Sequence, residues 1–148
     1  MGFTSDLLTG LAVMLDAAGA VTWTPSGAVD TAADPAPLFL GIYPDQPDVA
    51  AALATYSTGG DEPTLSGSEI MLQVRTRASA ADITSGDALD DAIAQQLLGH
   101  YPVTLSTGIV VSVITRSSGS PIGRDAAGRL ERTTNYRLMA HDPGPYRG

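Results

Sequence analysis

The sequence predicts an α+β fold: a small antiparallel or mixed β-sheet, two main helices packed on one face, and a protruding β-hairpin arm. Three observations carry that expectation. Two segments place apolar residues every three or four positions, several others alternate or are rich in β-branched residues, and the two kinds interleave without an internal repeat. With 148 residues, 43% of them hydrophobic, the chain reads as one domain over residues 1–148 whose core is mostly Ala, Val, Leu and Ile.

The first helix is capped by Thr4 or Ser5, buries Leu7, Leu11, Leu15 and Ala18 with Leu8 and Met14 beside them, and ends at Gly19. Val21-Thr22-Trp23-Thr24 follows, ahead of the first sheet strand. Pro25 to Pro37, rich in Gly, Ala, Asp and Pro, reads as a long mobile connection. Leu38 to Tyr43 follows as a strand with Leu38, Leu40 and Ile42 on one side. Val49 to Tyr56 is alanine-rich, which favours helix by propensity, but its place between strands favours a strand. Thr58 to Gly67 is the second mobile connection.

Ser68 to Arg77 alternates, with Ile70, Leu72 and Val74 towards the core and Met71, Gln73, Arg75 and Arg77 on a face free to bind. A second helix follows Thr84 or Ser85. Leu89, Ile93 and Leu97 form its apolar stripe, Asp87, Asp90 and Asp91 complement the positive end of its dipole, and Gly99 ends it. Ile109 to Thr115 is β-branched enough to be buried on both sides, and Leu130 to Ala140 alternates through Leu130, Tyr136 and Leu138. Between these last two strands lies the arm, about residues 116–132, with Asp125 and Gly128 at the first and fourth positions of a type I turn.

Composition removes several chemistries. All eight basic residues are Arg, so there is no lysine for a P-loop, a Schiff base or a lysine-rich stripe, and a net charge of -8 argues against a free-standing nucleic-acid binder. Absence of cysteine excludes disulfides and thiolate sites. Asp6 and Asp16 interrupt the apolar N-terminus and no basic region precedes it, so no signal peptide is expected; Asp6 also stands where a myristoylation start has Ser or Thr. No apolar run approaches membrane-spanning length.

The search for catalytic constellations is mostly negative. His100 and His141 do not form a metal-binding pair at helical spacing, and no Ser occupies a Gly-x-Ser-x-Gly elbow. The Asp87, Asp90, Asp91 group lacks the alternating ligands of a calcium loop, and Gly119, Gly123 and Gly128 are wrongly spaced for a dinucleotide site. No catalytic residue, cofactor or metal is assigned. What stands out is segregated positive charge: Arg75 and Arg77 on one strand face, and Arg116, Arg124, Arg129 and Arg132 bracketing the hairpin with Asp125 and Glu131 nearby. These residues form either a network of surface ion pairs, each worth little, or a subunit contact in which complementary charge fixes register.

The ordered series Gln73-Val74-Arg75-Thr76-Arg77, an Asp-rich helix ending Leu97-Leu98-Gly99, Thr115-Arg116, the arm from Pro121 to Arg132, and Asn135-Tyr136 resembles the minor capsid and tail terminator family of actinobacterial tailed phages. The strand motif and the Gly-Arg-Asp-x-x-Gly-Arg-x-Glu arm carry most of the likeness; Leu130 departs from it, standing where the pattern favours an aromatic. The resemblance implies a non-enzymatic homohexameric ring in the virion, on the tail side of the head–tail junction, assembled in the host cytoplasm. Its partners would be the major tail tube protein and a head-completion or connector protein, with genomic DNA crossing the lumen without sequence-specific binding and no membrane involved. It also implies subunit or tube contacts through Arg75 and Arg77 and a docking arm of Arg124, Asp125, Arg129 and Glu131. A head-completion adaptor of the same neck and, more distantly, a small-molecule enzyme are the alternatives.

Overall fold

The computed structural model describes residues 2–26, 28, 33–56, 68–99 and 101–143. Its elements are α1 (Phe3–Ala17), β1 (Thr22–Trp23), β2 (Pro37–Leu40), β3 (Ala50–Tyr56), β4 (Ser68–Arg77), α2 (Thr84–Leu97), β5 (Val103–Thr104), β6 (Val110–Arg124) and β7 (Leu130–His141). The strands form one mixed seven-stranded sheet in the order β1-β2-β3-β4-β7-β6-β5, parallel only between β1, β2 and β3. The expected α+β class is therefore the one observed, and the alanine-rich 50–56 segment is a strand: Ala50, Ala51, Ala52 and Leu53 are buried in mid-sheet, where packing overrides helix propensity.

Both helices take their place through a few residues. Leu7, Leu11 and Leu15 of α1 and Leu89, Ile93 and Leu97 of α2 share one core with Leu38, Leu53, Leu72, Val74, Tyr136 and Leu138 of the sheet. α1 starts two or three residues earlier than its sequence suggests: Gly2 is the N-cap, and Thr4 and Ser5 lie inside the helix. At the other end Gly19 (φ 78°) donates to Asp16 O and Ala20 to Leu15 O, the paired bonds that close a helix on a left-handed glycine. Ala18 caps this end and is exposed. For α2 the Asp82 carboxylate accepts from the Thr84 N–H (3.1 Å) and hydroxyl (2.6 Å) just outside the helix start.

Three expectations are corrected by burial. Ile42 leaves the strand at Gly41 (φ 88°) and is 75% exposed, because the chain turns there to cross the helix-free face before β3. Only one side of 110–115 is buried: Val111 and Ile114 face the core while Val113 is exposed, since neither described helix covers the second face. The hairpin is also less free than its composition suggests. β7 pairs with β4 from Ser68↔Ala140 to Arg77↔Glu131, so only the turn at its tip extends beyond the sheet. The turn is as expected, with Gly128 N–H donating to Asp125 O at 3.0 Å. The 58–67 connection, His100 and part of the 25–37 connection lie outside the described residues.

Candidate functional site: an arginine-pinned sheet face and the hairpin beside it

On the sheet face opposite the helices, the segment from Gly41 to Val49 crosses from β2 back to the start of β3, and Tyr43 packs with Phe39, Ala50 and Ala52 there. Backbone carbonyls in such a crossing have no strand to pair with and need donors. Arg77 supplies them. Its Nε donates to Asp48 O (2.7 Å) and its Nη2 to Pro44 O (2.9 Å), Asp45 O (3.2 Å) and Pro47 O (2.6 Å), while the guanidinium lies 4.5 Å from the Tyr43 ring centroid. Only a planar fork of donors serves four carbonyls at once. Burial, and then the nearby Arg129 cation, lower the Arg77 pKa from its ordinary value.

Arg129 approaches the same crossing from the hairpin tip. Its Nη1 donates to Asp45 O and lies 3.3 Å from Asp48 Oδ1, its Nη2 donates to Asp45 Oδ1 at 2.7 Å, and its Nε donates to Asp125 Oδ2 at 2.8 Å. Its hydrogen bond to Asp45 is the first cause raising its pKa. Asp125 in turn accepts the backbone N–H groups of Ala127 (3.0 Å) and Arg129 (2.9 Å), so one carboxylate orders the turn and orients the guanidinium. Arg75 completes the group, 3.4 Å from Glu131 Oε1 and 5.8 Å from the Tyr43 ring centroid. The Tyr43 hydroxyl donates to Glu131, and burial followed by that carboxylate pushes its pKa well up.

The structure thus divides the candidate residues. Arg75, Arg77, Glu131, Asp125 and Arg129 gather around the 44–48 crossing. Of these, Arg77 and Arg129 are each 4% exposed, so the expected binding face and docking tip have their central cations committed inside the chain. Arg116 and Arg132 lie on the helix side of the hairpin: Arg132 Nη1 is 3.6 Å from Asp87 of α2, and the exposed Arg116 lies 6.0 Å from the Tyr136 ring centroid. Arg124, also exposed, donates to Gly128 O at 2.8 Å at the tip.

Sequence reasoning missed Tyr43, Asp45 and Asp48, whose Pro44-Asp45-Gln46-Pro47-Asp48 run announces a turn but not the arginines it meets. It also misread Asp90. That side chain faces the core side of the hairpin, is 7% exposed and accepts from Thr134 Oγ1 at 3.0 Å; burial raises its pKa above the usual carboxylate value.

A cleft of about 700 Å³ lies between residues 33–36, residues 46–49 and the first half of α2. Its Ser85 hydroxyl donates to Asp82 O and accepts from Ser79 N–H, so it forms no nucleophile and base pair. Among the described residues no cluster of His, Asp or Glu is arranged to hold a metal ion, and no helix is long and apolar enough to cross a membrane.

A family model described as bacteriophage tail terminator protein matches residues 14–141. Among solved structures, a chain from the virion of a native gene transfer agent particle superposes with a TM-score of 0.56 at 14% identity, over 90% of this chain and 97% of that one. No curated protein matches the sequence.

Proposed function

Because the chain belongs to the bacteriophage tail terminator family, and so is a structural component of a phage tail, we propose that it forms a hexameric ring at the head-proximal end of a long tail. There it stops polymerisation of the tail tube and joins the tail to the head. The single observation that carries this reading is the family match over residues 14–141, which takes in the last turn of α1, all of α2, the whole sheet and the hairpin. The protein acts without catalysis or cofactor, as one domain, and its position in the particle is the tail side of the head–tail junction.

A closed ring needs two different, mutually complementary patches on every copy. Arg77, Arg129, Asp125 and Glu131 shape the surface by holding the 43–48 crossing, which leaves contact with the tube or with neighbours to the exposed Arg116 and Arg124 and the half-buried Arg75 and Arg132. The tube's end subunits and a head-completion protein are the neighbours in this reading, and DNA passes the lumen held off by like charge on a chain of net charge -8.

Electron microscopy of particles made without this gene tests the role. Overlong tails detached from DNA-filled heads are the expected result. Tails of normal length that fail only to join would overturn the terminator reading and favour a head-completion adaptor.

A further inference from the structure

The crossing at residues 41–48 covers only the Arg77 end of the helix-free sheet face. Towards the other end no described segment crosses that face. In register there, Glu69 of β4 stands opposite Met139 of β7, which stands opposite Val113 of β6; one step along, Met71 stands opposite Arg137, which stands opposite Thr115. Val113 is 43% exposed and Met139 38%, an apolar strip beside the half-exposed Arg137–Glu69 ion pair at 3.5 Å. The patch thus offers one cation and one anion beside apolar surface, a charge pattern that a complementary partner surface can match in register.

On the opposite layer of the molecule a cleft of about 440 Å³ opens between α2 and β6, lined by Asp91, Ala94, Gln95, Leu98 and Arg116. It too carries one anion and one cation beside apolar surface, and Leu98 is 41% exposed. We propose that these two surfaces are the two halves of the subunit contact: the Glu69–Arg137–Met139–Val113 patch of one copy seats in the Asp91–Leu98–Arg116 cleft of the next. Arg137 then faces Asp91 and Glu69 faces Arg116, so both charges of each patch find an opposite partner, and Met139 covers Leu98. The patches lie on opposite layers, one on the helix-free sheet face and one beside α2, so the contact is head-to-tail and each copy keeps one free half for the next. This inference rests on the ring reading above and names its surfaces.

The test is charge exchange in a phage lacking the gene and supplied with variants in trans. Arg137→Glu and Asp91→Arg each place like charges in the contact, and each is expected to reproduce the overlong, unattached tails of the deletion. The double variant puts both acids opposite both cations and is expected to restore normal tails. A melting curve for each purified variant within a few degrees of the parent shows that the exchange has not simply unfolded the chain. Single variants that support normal tails, or folded singles that fail and are not rescued by the double, would overturn the contact. If deletion itself leaves tail length normal, the terminator reading falls instead.

A second measurement reads the contact without reference to tail length. The chain has no cysteine, so a disulfide ladder from a Met139→Cys, Leu98→Cys double variant can arise only from the introduced pair. A ladder of several copies from assembled particles, absent from either single cysteine variant, is the expected result. No ladder from particles that contain the variant would overturn the contact.

Discussion

Arg77 and Arg129 bind the same turn from two distant parts of the chain: both donate to the carbonyl of Asp45, one from the end of β4 and one from the tip of the β6–β7 hairpin. The two cations also face each other, which contributes to the lowered Arg77 pKa. They are tolerated together because Asp45, Asp48, Asp125 and Glu131 surround them and because carbonyl oxygens take up the remaining donors. The crossing over the sheet is therefore held by side chains that come from elsewhere in the sequence.

Replacing Arg77 by Met keeps the stem and removes every donor. The carbonyls of Pro44, Pro47 and Asp48 beside a buried face then lose this donor while that of Asp45 keeps Arg129, and the expected loss is about 2 to 4 kcal/mol of unfolding free energy, read by urea denaturation. Arg77→Lys should recover only part of this, because an ammonium cannot reach four carbonyls spread over residues 44–48. Full stability in the lysine variant would show that charge alone matters at this position.

Asp125 sets an acid-side dependence. The backbone N–H of Arg129 is the first cause holding its pKa below the usual carboxylate value, with the Arg129 side chain and the Ala127 N–H adding to it. The unfolded chain therefore takes up the proton first as pH falls. The stabilisation is present above the ordinary Asp value, about 3.9, and is lost as pH drops through the lowered folded value. Asp125→Asn keeps an oxygen for the two N–H groups and removes the charge, so its melting temperature is expected to fall less than the parent's between pH 5 and pH 2.

Asp90 has the opposite sign. Burial is the first cause raising its pKa, and the hydrogen bond from Thr134 offsets only part of that. Between the unfolded value and the raised folded one, the native chain binds the proton more tightly. The group's cost is thus absent at low pH and appears as pH rises through the folded value. Asp90→Asn retains an acceptor for Thr134 and is expected to melt higher than the parent at pH 7, with the gap closing towards pH 4. A variant that melts lower at pH 7 would mean that the carboxylate's hydrogen bond outweighs its burial.

These residues show which parts of the molecule were legible. The apolar stripes Leu7-Leu11-Leu15 and Leu89-Ile93-Leu97 and the alternation at Leu72-Val74 and Tyr136-Leu138 report burial through local periodicity, and all lie in the core. The Asp125–Gly128 turn was equally local. Arg77 and Arg129 were singled out for their charge, yet their burial depends on a turn 29 to 84 residues away that no spacing could announce. Asp90 sits one residue from the exposed Asp91, and only the helix's rotation against the hairpin separates their environments.

Gly10 is the least conspicuous of these long-range constraints. It lies within α1, where glycine weakens a helix by roughly 0.5 to 1 kcal/mol relative to alanine. The structure gives its reason: a Cβ there would meet Leu105 Cβ at 2.7 Å and Thr107 Oγ1 at 2.8 Å. Thr107 also donates to Asp6 O at 2.6 Å, so the turn between β5 and β6 is hydrogen-bonded to the first turn of α1 at this point. Because Leu105 Cβ is fixed to the backbone, relief requires the whole helix to lift. Gly10→Ala is expected to lose about 1 to 3 kcal/mol through overpacking, despite alanine's better helix propensity, and denaturant unfolding reads it directly. Ala12 is buried two positions further along the same helix and already has its Cβ accommodated in the core. A stabilising Gly10→Ala would show that the turn yields to the helix.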